Sequence, residues 1–222
     1  MIVPEEIRKC AAFVAYQRDD GARPFVGTAF WVVRHIESLN GGFAYAVTAA
    51  HVIEGLRDHG VEEALIRVNF KGGGTGWVPA LIRDWHFHPS DVANDVAVWR
   101  GGPAEIADVK VYRVDHFLLA EDFESQEVGI GTEVFLPGLF VNHAGGDKNE
   151  PIIRVGNLAA IPQDPVNTKR GRSAAFLIEA RSIGGLSGSP VFANLGQLRA
   201  RNGVVQTAPS PVFKLIGLMH GH

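Results

Sequence analysis

The sequence has one cysteine, Cys10, among its 222 residues, so no internal disulfide can form. Disulfides accumulate in oxidising compartments, and their absence weakly favours a reducing one. Residues 1–9 contain no apolar run behind a basic start, so no signal peptide is visible. On these grounds we expect a cytoplasmic protein.

Clustered basic charge and long apolar runs are also missing. The chain carries 21 Lys and Arg against 24 Asp and Glu, with a formal net charge of -3 and no basic run. Sequence-independent nucleic-acid binding needs clustered Lys and Arg that displace counterions, so we expect no nucleic-acid partner. No stretch approaches the roughly 18 consecutive apolar residues of a membrane-spanning helix, so we expect no membrane partner either.

Helical periodicity is scarce, apart from a short turn predicted at 52–56, after His51. The chain instead shows short apolar or alternating runs separated by turn residues, with 26 glycines and 12 prolines in total. This pattern predicts an all-β protein. The acidic segment 115–131 separates two series of strands, which predicts one β unit over 1–116 and another over 117–222. The predicted strands are 11–16, 28–34, 43–48, 65–70, 77–84, 96–99 and 109–114, then 133–136, 152–158, 176–180, 191–193, 203–206 and 214–219.

Two motifs in the first series carry candidate catalytic side chains. His51 follows an apolar strand and the small residues 48–50, which leave room for its imidazole between two partners. Asp95 opens the apolar run 96–98, so its carboxylate would lie at a strand end and face a partner. The alternatives are a histidine that caps a strand and an aspartate in a turn, with Asp91 as a nearby competitor.

The third motif, residues 184–192, is the most specific. Glycines on both sides of Ser187 allow a tight turn and the close approach of another backbone. In such a turn the amides of Gly185 and Ser187 would face the space beside the hydroxyl, which is the arrangement of an oxyanion hole. The alternative is an ordinary Gly/Ser turn before a strand.

The order His51, Asp95, Ser187 is that of chymotrypsin and differs from the order in subtilisin and in α/β-hydrolases. Over most of its length the chain resembles the chymotrypsin/trypsin-like serine peptidases. Residues 48–51, 88–97 and 185–190 match the histidine, aspartate and serine boxes of that family. The form of the serine box is closest to that of bacterial glutamyl endopeptidases.

The resemblance implies two packed six-stranded antiparallel β-barrels with the active site in the cleft between them. It implies a serine endopeptidase that acts on a peptide or protein substrate with His51, Asp95 and Ser187 as its triad. Gly185 and Ser187 would supply the oxyanion hole, and no cofactor would be needed. Ser187 is a nucleophile only if a base lies within hydrogen-bond reach, so the three side chains must converge.

The chain departs from trypsin in three places. Leu186 replaces the acid that pairs with a new α-amino group, so that mode of activation is excluded and residues 2–3 are not a mature N-terminus. Arg181 at the base and His220 on the wall of the specificity pocket would favour an acidic residue before the scissile bond. Alternatively, Arg181 reaches solvent and His220 is structural. The chain ends at residue 222, short of the usual family length, which leaves two interpretations: a fragment with a further domain or partner beyond residue 222, and an unusually short member of the family.

Other functions were weighed against the peptidase. The main rival is a catalytically inactive, peptide-binding module of the same fold. An α/β-hydrolase esterase would need a glycine where Ser189 stands, and would need alternating helices. His86, His88 and Asp91 have the spacing of zinc ligands, but they lie where the family has a turn, so we expect no metal.

Overall fold

The computed structural model describes residues 3–181, 184–201 and 204–221. The predicted all-β class is confirmed, since curled antiparallel sheets form most of this part of the chain. Its two α-helices are α1 (Glu5–Lys9) and α2 (Ala50–Asp58). The strands are β1 (Ala12–Ala15), β2 (Phe25–Ile36), β3 (Gly41–Thr48), β4 (Glu63–Asn69), β5 (Thr75–Leu81), β6 (Trp85–Phe87), β7 (Ala97–Arg100), β8 (Tyr112–Arg113), β9 (Glu133–Gly138), β10 (Ile152–Ala160), β11 (Val166–Thr168), β12 (Gly171–Ser173), β13 (Leu177–Ala180), β14 (Pro190–Arg201) and β15 (Val204–Leu218).

The first sheet has the order β5-β4-β1-β2-β3-β7-β6, with β8 added parallel to β2. Its other neighbours are antiparallel, and β2 pairs with β1 through residues 25–29 and with β3 through residues 30–36. One long strand therefore belongs to both halves of the sheet. Helix α2 packs its buried residues Val52, Ile53 and Leu56 onto the side chains of this sheet, Trp31 among them.

The second sheet has the order β13-β10-β9-β14-β15, and all its described pairings are antiparallel. Strands β14 and β15 form a long hairpin. The β11–β12 hairpin makes a separate two-stranded sheet. The predicted boundary after residue 116 falls between β8 and β9, and the division into two domains stays a prediction.

Apolar side chains from both sheets meet in one cluster. It includes Phe30 of β2, Phe192 of β14 and Cys10, which are all buried, and the Cys10 thiol lies 2.8 Å from the Ile7 carbonyl oxygen. Burial raises the pKa of the Cys10 thiol, because the thiolate is poorly solvated there. A fully buried phenylalanine such as Phe30 or Phe192 contributes about 1.5–3 kcal/mol, so the cluster is a substantial part of what holds the two sheets together.

The buried guanidinium of Arg67 also joins the first sheet to the loop that follows β9. Arg67 of β4 donates from Nε to Asn149 Oδ1 at 2.5 Å and from Nη2 to the Ala144 carbonyl at 2.6 Å. Its guanidinium carbon lies 4.4 Å from the centre of the Phe25 ring. Asn149 also donates its backbone N–H to Asn69 Oδ1 at 2.6 Å. The loop that follows β9 is therefore fixed to β4 by charged and neutral hydrogen bonds.

Several elements differ from the prediction. Helix α1, the strand β6 and the β11–β12 hairpin were not predicted, and the segments 203–206 and 214–219 belong to one long strand, β15. Gly203 lies outside the described residues. The turn predicted at 52–56 is part of α2, which is nine residues long.

Candidate active site

Ser187 lies in a tight turn between the end of β13 and the start of β14. Gly185 and Gly188 flank it with φ angles of 104° and 82°, a region that side chains other than glycine rarely adopt. A Cβ on Gly188 would lie 2.3 Å from the Thr28 carbonyl oxygen, so the turn also needs glycine for space. No described residue accepts a hydrogen bond from the amide of Gly185 or of Ser187.

Thr28 of β2 holds this turn against the first sheet. Its backbone N–H donates to the Ser187 carbonyl at 2.9 Å, and its hydroxyl donates to the Gly185 carbonyl at 2.8 Å. The same hydroxyl accepts from the Leu139 N–H at 2.9 Å. Thr28 is fully buried. The position of the serine turn is thus set by a strand of the opposite sheet.

His51 lies in the first turn of α2, between the serine and the aspartate. Its Nε2 atom lies 2.9 Å from Ser187 Oγ, and its Nδ1 atom lies 2.6 Å from Asp95 Oδ2. A carboxylate can only accept, so we assign the imidazole proton to Nδ1, which leaves Nε2 to accept from the serine hydroxyl. The imidazole is 40% exposed, so one of its faces is open to the solvent.

Asp95 lies in the loop before β7, and its side chain is only 3% exposed. Its Oδ1 accepts from the backbone N–H of His51 at 2.8 Å, and its carbonyl oxygen accepts from the N–H of Ala50 at 3.2 Å. The residue therefore caps the N-terminus of α2, where the helix dipole favours a negative charge. Hydrogen bonds of this kind offset the cost of burying a carboxylate.

Two further cations or protonatable groups approach the same carboxylate. His220, just after β15, has its Nε2 atom 3.4 Å from Asp95 Oδ2, and its ring centre lies 6.5 Å from that of His51. Burial lowers the pKa of His220, and the charge of Asp95 opposes that effect. Arg170, in the turn of the β11–β12 hairpin, has Nε 3.7 Å from Asp95 Oδ1. Neither contact was predicted.

Comparison with known proteins relies on structure, since no protein-family model and no curated protein sequence matches the chain. Deg5 has a TM-score of 0.54 at 15% identity, over 86% of this chain and 80% of its own. The MamO protease domain from Magnetospirillum magneticum, in its apo form, has a TM-score of 0.54 at 14% identity, over 95% and 93%. The Drosophila clip serine protease Grass, of the Toll pathway, has a TM-score of 0.56 at 16% identity, over 99% of this chain and 62% of Grass.

These neighbours are trypsin/chymotrypsin-like serine proteases. The fold is chymotrypsin-like. At such low identities the likeness shows the fold alone, and the resemblance to glutamyl endopeptidases in particular stays a prediction. In this chymotrypsin-like fold the side chains of His51, Asp95 and Ser187 come together from helix α2, the loop before β7 and the turn before β14.

The two predicted specificity residues lie in different surroundings. Arg181 follows β13 and is exposed, and residues 182–183, between it and the serine turn, lie outside the described residues. His220 lies beside Asp95. The role of both residues in a specificity pocket stays a prediction.

The remaining features considered from the sequence were a metal site and a membrane-spanning helix. In the described ranges no group of three His, Cys, Asp or Glu side chains is arranged to hold a metal ion. His88 Nδ1 instead accepts from the backbone N–H of Asp91 at 2.9 Å. No helix in the described part of the chain is long and apolar enough to cross a membrane.

Proposed function

We propose that the chain is a serine endopeptidase with His51, Asp95 and Ser187 as its catalytic triad. The observation that carries this proposal is the continuous chain of contacts from Asp95 Oδ2 to His51 Nδ1 at 2.6 Å and from His51 Nε2 to Ser187 Oγ at 2.9 Å. Both distances are within hydrogen-bond reach, as nucleophile activation by a base requires.

In the proposed reaction, Ser187 Oγ attacks the carbonyl carbon of the scissile peptide bond while His51 Nε2 takes its proton. Asp95 holds the imidazole in the required tautomer and stabilises the imidazolium that forms. The amides of Gly185 and Ser187 stabilise the negative charge on the carbonyl oxygen. The imidazolium then gives its proton to the leaving amine, and a water molecule hydrolyses the acyl-enzyme by the same route.

For substrate preference we propose an acidic residue before the scissile bond. The support is the exposed Arg181, six residues before Ser187 in the sequence, together with His220, which is 30% exposed. A peptide library with Glu, Leu or Lys before the cleaved bond tests this preference. Preferential cleavage after Glu supports it, and equal cleavage after all three residues refutes it.

A fluorophosphonate probe, which modifies activated serines, tests the triad directly. We expect the wild-type chain to gain one adduct at Ser187, to hydrolyse an unfolded fluorescent protein substrate, and to lose both properties in Ser187→Ala and His51→Ala. Ser189→Ala is the matched control, because Ser189 is a fully buried serine two residues away and should not be the labelled position. Neither an adduct nor hydrolysis in the wild-type chain would favour the inactive peptide-binding module, and activity retained in Ser187→Ala would refute the assignment.

A further inference from the structure

A charged pair outside the proposed triad joins the β11–β12 hairpin to helix α2. Arg170, in the turn of the hairpin, extends its Nη1 and Nη2 atoms to the two carboxylate oxygens of Glu54, with Nη2 at 3.0 Å from Oε1. The two side chains are only 18% and 26% exposed. A two-point contact between a guanidinium and a carboxylate is directional, and partial burial strengthens it relative to a surface pair.

The same guanidinium also contacts the loop that carries Asp95. Its Nε atom donates to the Val92 carbonyl at 3.2 Å and lies 3.7 Å from Asp95 Oδ1. Glu54 lies on α2, nearly one helical turn after His51, so one side chain is in contact with both elements that carry the proposed base and its partner. Hydrogen bonding to Arg170 lowers the pKa of Glu54, so this carboxylate is charged at neutral pH.

The β11–β12 hairpin is not paired with either of the larger sheets in the described part of the chain. Strands β11 and β12 have three residues each and pair only with each other among the described strands. Two-stranded hairpins are marginally stable in isolation, so contacts at the tip of this one matter for its placement. At that tip a Cβ on Gly171 would lie 3.5 Å from the Ala93 side chain, beside the same loop.

We propose that Arg170 is a positioning residue that aligns His51 with Asp95 by fixing α2 and the Asp95 loop to the β11–β12 hairpin. This inference rests on the proposed function, because it assigns Arg170 a role in the same site. Arg170 does not contact the serine, so it acts through Glu54, the Val92 carbonyl and the Asp95 carboxylate. An undocked hairpin would leave the three proposed catalytic residues present but misaligned.

The test compares variants of the pair with a control on the same hairpin. Arg170→Ala removes the contacts, Arg170→Lys keeps the charge without the two-point contact, and Glu54→Gln removes the partner's charge. Arg172→Ala is the matched control, since Arg172 is exposed and its one described hydrogen bond goes to the Pro165 carbonyl at 3.4 Å. We expect kcat to fall about 10–100-fold in Arg170→Ala with KM changed less than about twofold, because misalignment affects chemistry more than binding.

Lysine should not restore kcat, and Arg172→Ala should match the wild type. The double variant Glu54→Gln/Arg170→Ala should be no slower than Arg170→Ala, because the two residues act as one unit. An Arg170→Ala variant with wild-type kcat, or one no slower than Arg172→Ala, overturns the proposal.

Far-UV circular dichroism and the urea midpoint distinguish positioning from a loss of folded protein. We expect Arg170→Ala to remain folded under the assay conditions, as Arg172→Ala does. A fall in kcat no larger than the unfolded fraction of Arg170→Ala would overturn the proposal.

A measurement independent of turnover separates this inference from the proposed function. The proton shared by His51 Nδ1 and Asp95 gives a downfield NMR resonance when the hydrogen bond is well ordered. We expect that resonance in the wild type and in Arg172→Ala, and its loss or broadening in Arg170→Ala. If the wild type shows it without hydrolysing peptides, the proposed function fails while the positioning role is retained. If Arg170→Ala keeps it unchanged, the positioning role fails.

Discussion

Replacing Thr28 with valine removes one hydroxyl from the contact between the two sheets while keeping the shape of the side chain. That hydroxyl makes two hydrogen bonds, one to the Gly185 carbonyl at 2.8 Å and one from the Leu139 N–H at 2.9 Å. The variant leaves both groups without this partner. We therefore expect a loss of stability and a shift of the backbone at Gly185, whose N–H is one of the proposed oxyanion donors.

The size of the effect follows from the burial of each group. Leu139 is fully buried, so its orphaned N–H costs about 1–3 kcal/mol. The Gly185 bond is only partly buried, so its loss costs about 0.5–1.5 kcal/mol. Together the free energy of unfolding should fall by about 1.5–4.5 kcal/mol. Thr28→Ser keeps the hydroxyl and loses one methyl group, which costs about 0.8 kcal/mol plus a small cavity term.

Urea denaturation measures these differences. The variants are best compared in a Ser187→Ala background, in which we expect no cleavage of the chain by itself, and the m-value should stay the same. In the Ser187 background, kcat of Thr28→Val should fall by at least about tenfold, because loss of one oxyanion donor costs more than that. A Thr28→Val variant whose free energy of unfolding falls by less than about 0.5 kcal/mol relative to the wild type would contradict this account of the contact.

Two further predictions concern pH and the buried cation. Burial lowers the pKa of His220, so the unfolded chain binds a proton there more readily than the fold does. The contribution of His220 to stability is present above its ordinary pKa and falls with decreasing pH, so His220→Gln should flatten the dependence of Tm on pH below about 6.5. A slope equal to that of the wild type would contradict this reasoning. Arg67→Lys loses the contacts to Asn149 and the Ala144 carbonyl and should cost about 2–3 kcal/mol, with faster hydrogen exchange in the loop at 144–149, whereas unchanged exchange would exclude the role given to Arg67.

The strands that could be predicted are those with a local apolar pattern. The segment 28–34, for example, lies within β2, and its continuous apolar run was enough to find it although its ends were missed. Strands β11 and β12 have three mostly polar residues each, so they have no periodicity to detect. Helix α1 has five residues and one buried position, Ile7, too few for a helical pattern. Its place comes from packing against distant residues of the core.

The residues of the candidate site also differ in whether a local sequence pattern marks them. His51, Asp95 and Ser187 each stand in a distinctive local setting, so their residue types and neighbours were enough to propose them. Arg170 is a charged residue in a turn, which in sequence is indistinguishable from a solvated one. Its partner Glu54 is 116 residues away, and only the folded chain brings the two together.

The burial of Cys10 allows separation of the two sheets to be measured with a thiol reagent. This thiol is the only one in the chain, and it lies in the apolar cluster shared by the two sheets. A thiol-specific reagent cannot reach it while the sheets stay packed, and the high pKa of the thiol suppresses the reactive thiolate. The rate of alkylation at neutral pH therefore measures how often the two sheets part, without any engineered label.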